Sequence, residues 1–137
     1  MELSGEFYRG QSLGGLGGGV YKDVVLVQPF PDQDAQVEAL SAIGGWAQWK
    51  FKMTNKVEWN AAMGGDQGRA SQLRSAQLDY TNLYGVLARN QTVFGNVIYR
   101  PSNYLMFSFE YRNIKTWPLR GNAYSAQAYV LTTGYEF

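Results

Sequence analysis

The sequence predicts an all-β chain: an antiparallel meander of about six strands that forms part of a transmembrane outer-membrane β-barrel. Three observations carry this expectation. Apolar and polar residues alternate with period two over most of the chain. Tight and long connections also alternate, so one end of the sheet would hold all the short turns and the other all the long loops. Aromatic residues make up 15% of the chain and charged residues only 17%, the latter below the roughly 25% of an ordinary soluble domain.

The elements follow in order. A first strand is expected from Glu2 to Arg9. Residues 10–38 read as a long extracellular loop, with Gly14-Gly15-Leu16-Gly17-Gly18-Gly19 and the aliphatic run Val24-Val25-Leu26-Val27 inside it. Asp32 to Ser41 is the one helix-like stretch, short and mostly polar. From Ile43 to Met53 the odd positions Ile43, Ala47, Trp49, Phe51 and Met53 are apolar, and the even ones include Gln48, Lys50 and Lys52. Thr54-Asn55 signals a turn, and Val57, Trp59, Ala61 and Met63 continue the apolar face opposite Glu58 and Asn60. Residues 66–81 are expected to be a second extracellular loop, in which Arg69 to Leu78 has the composition of a helical turn.

A second hairpin repeats the pattern. Val93, Val97 and Tyr99 face one way, Asn96 and Arg100 the other, and Pro101-Ser102-Asn103 marks the turn. Leu105, Phe107, Phe109 and Tyr111 then alternate with Ser108, Glu110 and Arg112. Phe94, Ile98 and Met106 break the alternation by falling on the polar side. A third loop is expected at 113–122, and a last strand places Tyr129, Leu131, Thr133, Tyr135 and Phe137 on one face.

Composition excludes much chemistry. The chain has no cysteine and no histidine, so disulfides, thiolate zinc sites, histidine metal sites and Ser-His triads are out of reach. Twelve Lys and Arg stand against 11 Asp and Glu, a balance that carries no electrostatic argument for nucleic acid. At 137 residues the chain is about one domain. Met1 to Glu6 lacks the basic region and apolar core of a signal peptide. The chain therefore reads as either cytoplasmic or a piece of something larger.

A soluble antiparallel sandwich would also alternate. Against it stand the aromatic residues near strand ends and the charged residues on the reverse faces. The expected membrane girdle is Trp49, Phe51, Trp59, Tyr99, Tyr111, Tyr129 and Tyr135. The expected lumen-facing set is Lys50, Lys52, Glu58, Asn60, Asn96, Arg100, Ser108, Glu110 and Arg112.

The final strand, Tyr129-x-Leu131-x-Thr133-x-Tyr135-x-Phe137, resembles the C-terminal β-signal of Gram-negative outer-membrane proteins. The hairpins GGWAQWKFKMTNKVEWNAAMG and RNQTVFGNVIYRPSNYLMFSFEYR are similar to the last strands of large porin-like proteins. The resemblance implies a bacterial outer-membrane location, contact with outer-membrane lipid, and recognition of Tyr129, Leu131, Thr133, Tyr135 and Phe137 by the barrel assembly machinery. The smallest natural single-chain barrels have eight strands, and an open edge cannot face lipid. Six strands are thus expected to be the C-terminal part of a longer barrel, completed by the rest of a parent chain or, less favourably, by other protomers.

Other signals point to little. The glycine run lacks the Lys-Ser/Thr of a phosphate loop and precedes no helix. Asp32 and Asp34 lack calcium-loop spacing, and Asp66 with Asp79 lacks the partners that glycan cleavage would need. No cofactor, metal site or catalytic residue is expected. The expected function is porin-like passive passage of small solutes. The alternatives are a membrane anchor or adhesin, and a soluble β-sheet module that binds carbohydrate. A turn centred on Thr54 would set Lys50 opposite Glu58 and Trp49 opposite Trp59, and one centred on Ser102 would set Asn96 opposite Ser108 and Val97 opposite Phe107. Trp49, Phe51, Trp59, Tyr99, Tyr135 and Phe137 would lie at the tight-turn end, with Tyr111 and Tyr129 nearer the loops. Lys50, Lys52, Arg100 and Arg112 against Glu58 and Glu110 would favour anions.

Overall fold

The computed structural model describes residues 1–27, 34–78, 81 and 86–136. It is all-β. Six strands form one antiparallel sheet: β1 (Glu2–Gln11), β4 (Ser41–Lys52), β5 (Val57–Gly68), β6 (Leu87–Ser102), β7 (Leu105–Pro118) and β8 (Tyr124–Tyr135), paired in that order. A small hairpin of β2 (Val24–Val27) and β3 (Gln36–Ala39) is inserted between the first two. The sheet is open. Among the described residues β1 pairs only with β4, and β8 only with β7.

Period-two alternation becomes two unlike faces because the register matches odd with odd and even with even. One row runs Leu3, Trp49, Ala61, Gly95, Tyr111, Tyr129, and its neighbour on the other face runs Glu2, Lys50, Asn60, Asn96, Glu110, Val130. The pairing is shifted by two residues from the expected one: Lys50 faces Asn60, Phe51 faces Trp59, Val97 faces Phe109 and Asn96 faces Glu110. In the first hairpin the cause is a connection one residue longer than expected. Met53–Lys56 forms it, and the Thr54 hydroxyl accepts from the amides of Lys56 (3.1 Å) and Val57 (3.0 Å). A shift of two keeps every side chain on its expected face; a shift of one would have inverted them all.

Three loop boundaries also differ. β7 continues to Pro118, so the expected loop at 113–122 shrinks to 119–123. Polar residues such as Asn113 and Lys115 resemble a loop in sequence but remain paired with β6 and β8. β5 likewise runs on to Gly68, and a one-and-a-half-turn helix, α1 (Ala70–Ser75), follows where a helical turn was expected. Within 10–38, β2 and β3 replace featureless loop, and Gln36–Ala39 is strand rather than helix.

The buried core lies away from the sheet's odd face. Val25, Leu40 and Leu73 form it, with Val27, Ala76, Ala88 and Leu119 packed around them. Each fully buried leucine contributes about 1.5–3 kcal/mol, and Leu40 (0%) and Leu73 (1%) are the best buried. Gln72 ties the cluster to β4: its Oε1 accepts from the Ser41 amide at 2.9 Å and its Nε2 donates to the Ala39 carbonyl at 3.0 Å. This core joins β2, α1 and the loop ends of the strands into a cap at one end of the sheet.

Candidate functional site

The even-numbered face of the sheet carries the polar chemistry. At the tight-turn end Glu58 is 7% exposed and Asn60 7% exposed. Asn60 Nδ2 donates to Glu58 Oε1 and to Asn96 Oδ1, both at 3.0 Å. Lys50 Nζ and Arg100 Nη1 each sit 3.8 Å from Glu58 Oε2. One buried carboxylate thus holds two cations from flanking strands. Lys50 reaches it diagonally rather than from the directly opposite position. Further along, Arg112 pairs with Glu110 at 2.7 Å and lies 5.4 Å from the Phe94 ring centroid. Ser108 sits on the same face, opposite Ile98, and Lys52 opposite Glu58.

At the loop end the hub is Asp66. The segment between β1 and β2 folds back onto the even face, and the Gly19 amide donates to Asp66 Oδ1 at 3.0 Å while the Val20 amide donates to Oδ2. Gly19, Val20 and Tyr21 all have left-handed φ, of 61°, 52° and 61°. Consecutive amides in such a turn converge on an anion. For the β-branched Val20 this backbone is strained by about 1–3 kcal/mol, so the carboxylate must hold it. Tyr8 donates to the same Oδ1 at 2.9 Å. It reaches across β4 because Gly44 lies between: a Cβ there would collide with the Tyr8 hydroxyl. Lys22 Nζ donates to the Leu87 carbonyl at 2.9 Å. Burial pushes the Lys22 ammonium below the ordinary lysine range, with the Asp66 carboxylate partly opposing the shift.

The other face is apolar and bare. All seven expected girdle residues lie on it, from Tyr111 at 36% exposed to Tyr135 at 69%. Trp49 stacks on Phe51 with centroids 5.6 Å apart, and Tyr129 lies 5.2 Å from Tyr111 and 6.4 Å from Phe109. Leu131, Thr133 and Tyr135 continue this face along β8, whereas Phe137 lies outside the described residues. The expected two-tier arrangement changes: Trp49, Tyr111 and Tyr129 share one cross-strand row.

The charge balance of the even face also needs correction. Glu2, Glu6 and Asp66 join Glu58 and Glu110 there, against Lys50, Lys52, Arg100 and Arg112. Five carboxylates therefore meet four cations, and the expected cation excess disappears. Sequence reasoning missed Asp66 as an anchor and Tyr8 as its partner. The signal that could have found them was Gly44, a strand glycine of the kind that marks close approach. Asp79 and Asp32, weighed above as acid and calcium ligands, lie outside the described residues. Among the described residues no three acidic side chains converge as metal ligands. No helix is long and apolar enough to cross a membrane, which leaves strand-based crossing open.

The chain matches no family model, no curated protein and no solved structure.

Proposed function

We propose that this chain is a segment of a porin-like barrel of the bacterial outer membrane, with its odd face toward lipid and its even face lining a wet path for small solutes. The observation that carries the reading is an inversion of soluble packing. The aromatic face lies bare, while the polar face holds the buried Glu58 and Asn60 and receives the folded-back segment at Asp66. A soluble sandwich would cover the aromatic face, because burial of apolar area drives its folding. In a bilayer the aromatic face meets hydrocarbon, and the ion pairs face water.

The open edges fit the same reading. Lipid tolerates no unsatisfied backbone edge, so β1 and β8 require further strands. With six strands in the meander the two edges run in opposite directions, and an even number of added strands closes the sheet without breaking antiparallel order. Those strands come from a longer parent chain or from other protomers. On the even face, the segment around Val20 narrows the path at the loop end.

The test is behaviour in water against lipid. Alone in plain buffer the chain aggregates through its bare face and open edges. In phosphatidylcholine vesicles copies of the chain pair edge to edge, and the strands so closed resist protease. A monomer that melts sharply in plain buffer overturns the reading in favour of a soluble module. Single-channel steps in a planar bilayer with the complete barrel support passage, and a silent barrel supports an anchor.

A further inference from the structure

We infer that the hollow beside Trp46 on the even face is a binding site for an organic ammonium ion. The inference rests on the reading above and deepens it, by naming the class of solute that the wet face selects.

The first ground is an aromatic side chain on the polar side of the sheet. Trp46 belongs to the even face, yet it is 43% exposed. Its Nε1 donates to Glu6 Oε2 at 3.4 Å. The ring is thereby tied toward β1, and what it leaves to solvent is carbon surface. An indole held by its N–H offers its π face, and that face attracts cations.

The second ground is the hollow itself. Across the ladder from Trp46 stands Gly64, and beyond it Thr92. Gly64 carries no side chain, and a cavity of about 220 Å³ opens there, walled by Tyr8, Trp46, Asp66, Asn90 and Thr92. A Cβ on Gly64 would press to 3.2 Å from the Trp46 Cβ. Trp46 and Thr92 lie two strand spacings apart, about 10 Å. A solute seated over Gly64 therefore lies within the ~6 Å of the indole over which cation–π attraction acts. The volume falls below the ~300 Å³ of the smallest drug-sized pockets, which suits one compact headgroup rather than an oligomer.

The third ground is charge. On the same face Glu58 and Glu110 have cations within 4 Å. Asp66, in the wall of the hollow, makes no such pair among the described residues: two backbone amides and the Tyr8 hydroxyl bond it. Lys22 feels its charge, but the Lys22 ammonium is given to the Leu87 carbonyl. Glu6, at the edge of the indole, likewise makes no ion pair there. One indole, one phenol and a carboxylate without a paired cation are complementary to a positive charge clothed in methyl or methylene groups. A sugar ring would ask for several donors. Tyr8 already spends its hydroxyl on Asp66, which leaves only the Asn90 amide and the Thr92 hydroxyl in the wall.

The experiment uses the full chain with Trp46 as its sole tryptophan, folded in micelles of a polyoxyethylene detergent, which brings neither ammonium nor sugar. Trp46 emission is followed against choline and against its uncharged isostere, in which carbon replaces the quaternary nitrogen. Choline is expected to shift the emission saturably, with half-saturation about tenfold below that of the isostere. Gly64→Val, which fills the hollow, abolishes the response, and Val93→Ala on the other face leaves it unchanged. Equal responses to choline and the isostere, or none to either, overturn the proposal whether or not Gly64→Val folds. A response to methyl glucoside without one to choline overturns the ammonium in favour of a sugar. The two readings fail separately. Saturable choline binding by a chain that melts as a monomer in plain buffer overturns the membrane reading and leaves the site standing; no binding by a chain that enters vesicles overturns the site alone.

Discussion

Leu131 on the odd face is 83% exposed and Phe7 73%, whereas Glu58 and Asn60 on the even face are each 7% exposed. The two faces share the same strands and the same backbone bonds; they differ in what lies against them. The even face is organised from within, by Glu58 between Lys50 and Arg100 and by Asp66 beneath Gly19 and Val20. Among the described residues the odd face has ring-on-ring contacts, the Arg89 and Lys115 charges against the Trp117 ring, and exposed apolar side chains. A sheet folded in water hides apolar residues and exposes charge. This one does the reverse, and the difference is what the proposed membrane reading rests on: an apolar solvent on one side and water on the other.

The contrast can be broken most strongly at Leu131. Were this face in water, Leu131→Arg would change stability by no more than about 0.5 kcal/mol, as at most exposed positions. Facing lipid near mid-depth, it costs ~2–4 kcal/mol. Urea unfolding from vesicles measures which holds.

Asp66→Ala comes next. It strands the Gly19 and Val20 amides and the Tyr8 hydroxyl, and nothing then holds Val20 in its left-handed backbone. Loss of an acceptor at a charged site costs ~2–3 kcal/mol. The 13–23 segment is expected to swing off the even face, which hydrogen exchange reads as lost protection at Gly19 and Val20. Conductance of the complete barrel should rise with it.

A smaller effect is expected at Glu58. Its partners Lys50 and Arg100 are 34% and 45% exposed and stand at 3.8 Å, so solvent screens the pairs and Glu58→Gln costs about 1 kcal/mol. The functional change is clearer than the energetic one. With one carboxylate removed from the even face, the reversal potential under a salt gradient moves toward anion preference; a fixed potential would mean Glu58 lies off the conducting path.

The smallest effect sharpens the loop end. Lys22 has a lowered proton affinity when its segment is docked, because burial disfavours the ammonium. The detached segment therefore binds more protons, and docking strengthens as pH rises through the lowered Lys22 value toward the ordinary lysine range. Lys22→Met should flatten that slope in alkaline hydrogen-exchange titrations of the Gly19 amide.

How much of this was legible in the sequence depends on range. Trp49, Phe51 and Trp59 against Lys50 and Glu58 announce two faces, because a strand's period of two is a local property. Six antiparallel strands follow from the same signal. The pairing missed by two residues because the length of a turn depends on details such as the Thr54 hydroxyl bonds, which composition does not reveal. Asn113 to Pro118 looked like loop because a strand that rises beyond an apolar band turns polar while staying paired. Asp66 was invisible as an anchor: its partners Gly19 and Val20 lie 47 and 46 residues away, brought together only by the sheet. That Arg9, Arg89 and Lys115 share one end of one face was equally hidden, since only the strand register places them there.

Trp46 and Trp59 offer the most direct test of the central claim. They are almost equally exposed, at 43% and 46%, yet Trp46 lies on the even face and Trp59 on the odd. Two variants, each retaining one of these as the sole tryptophan, are folded into vesicles of phosphatidylcholine brominated on its acyl chains. Trp59 fluorescence is expected to be strongly quenched, while Trp46 stays bright and yields instead to a water-soluble quencher. Equal quenching of both by the brominated chains, or quenching of neither, would contradict the assignment of the two faces to lipid and water.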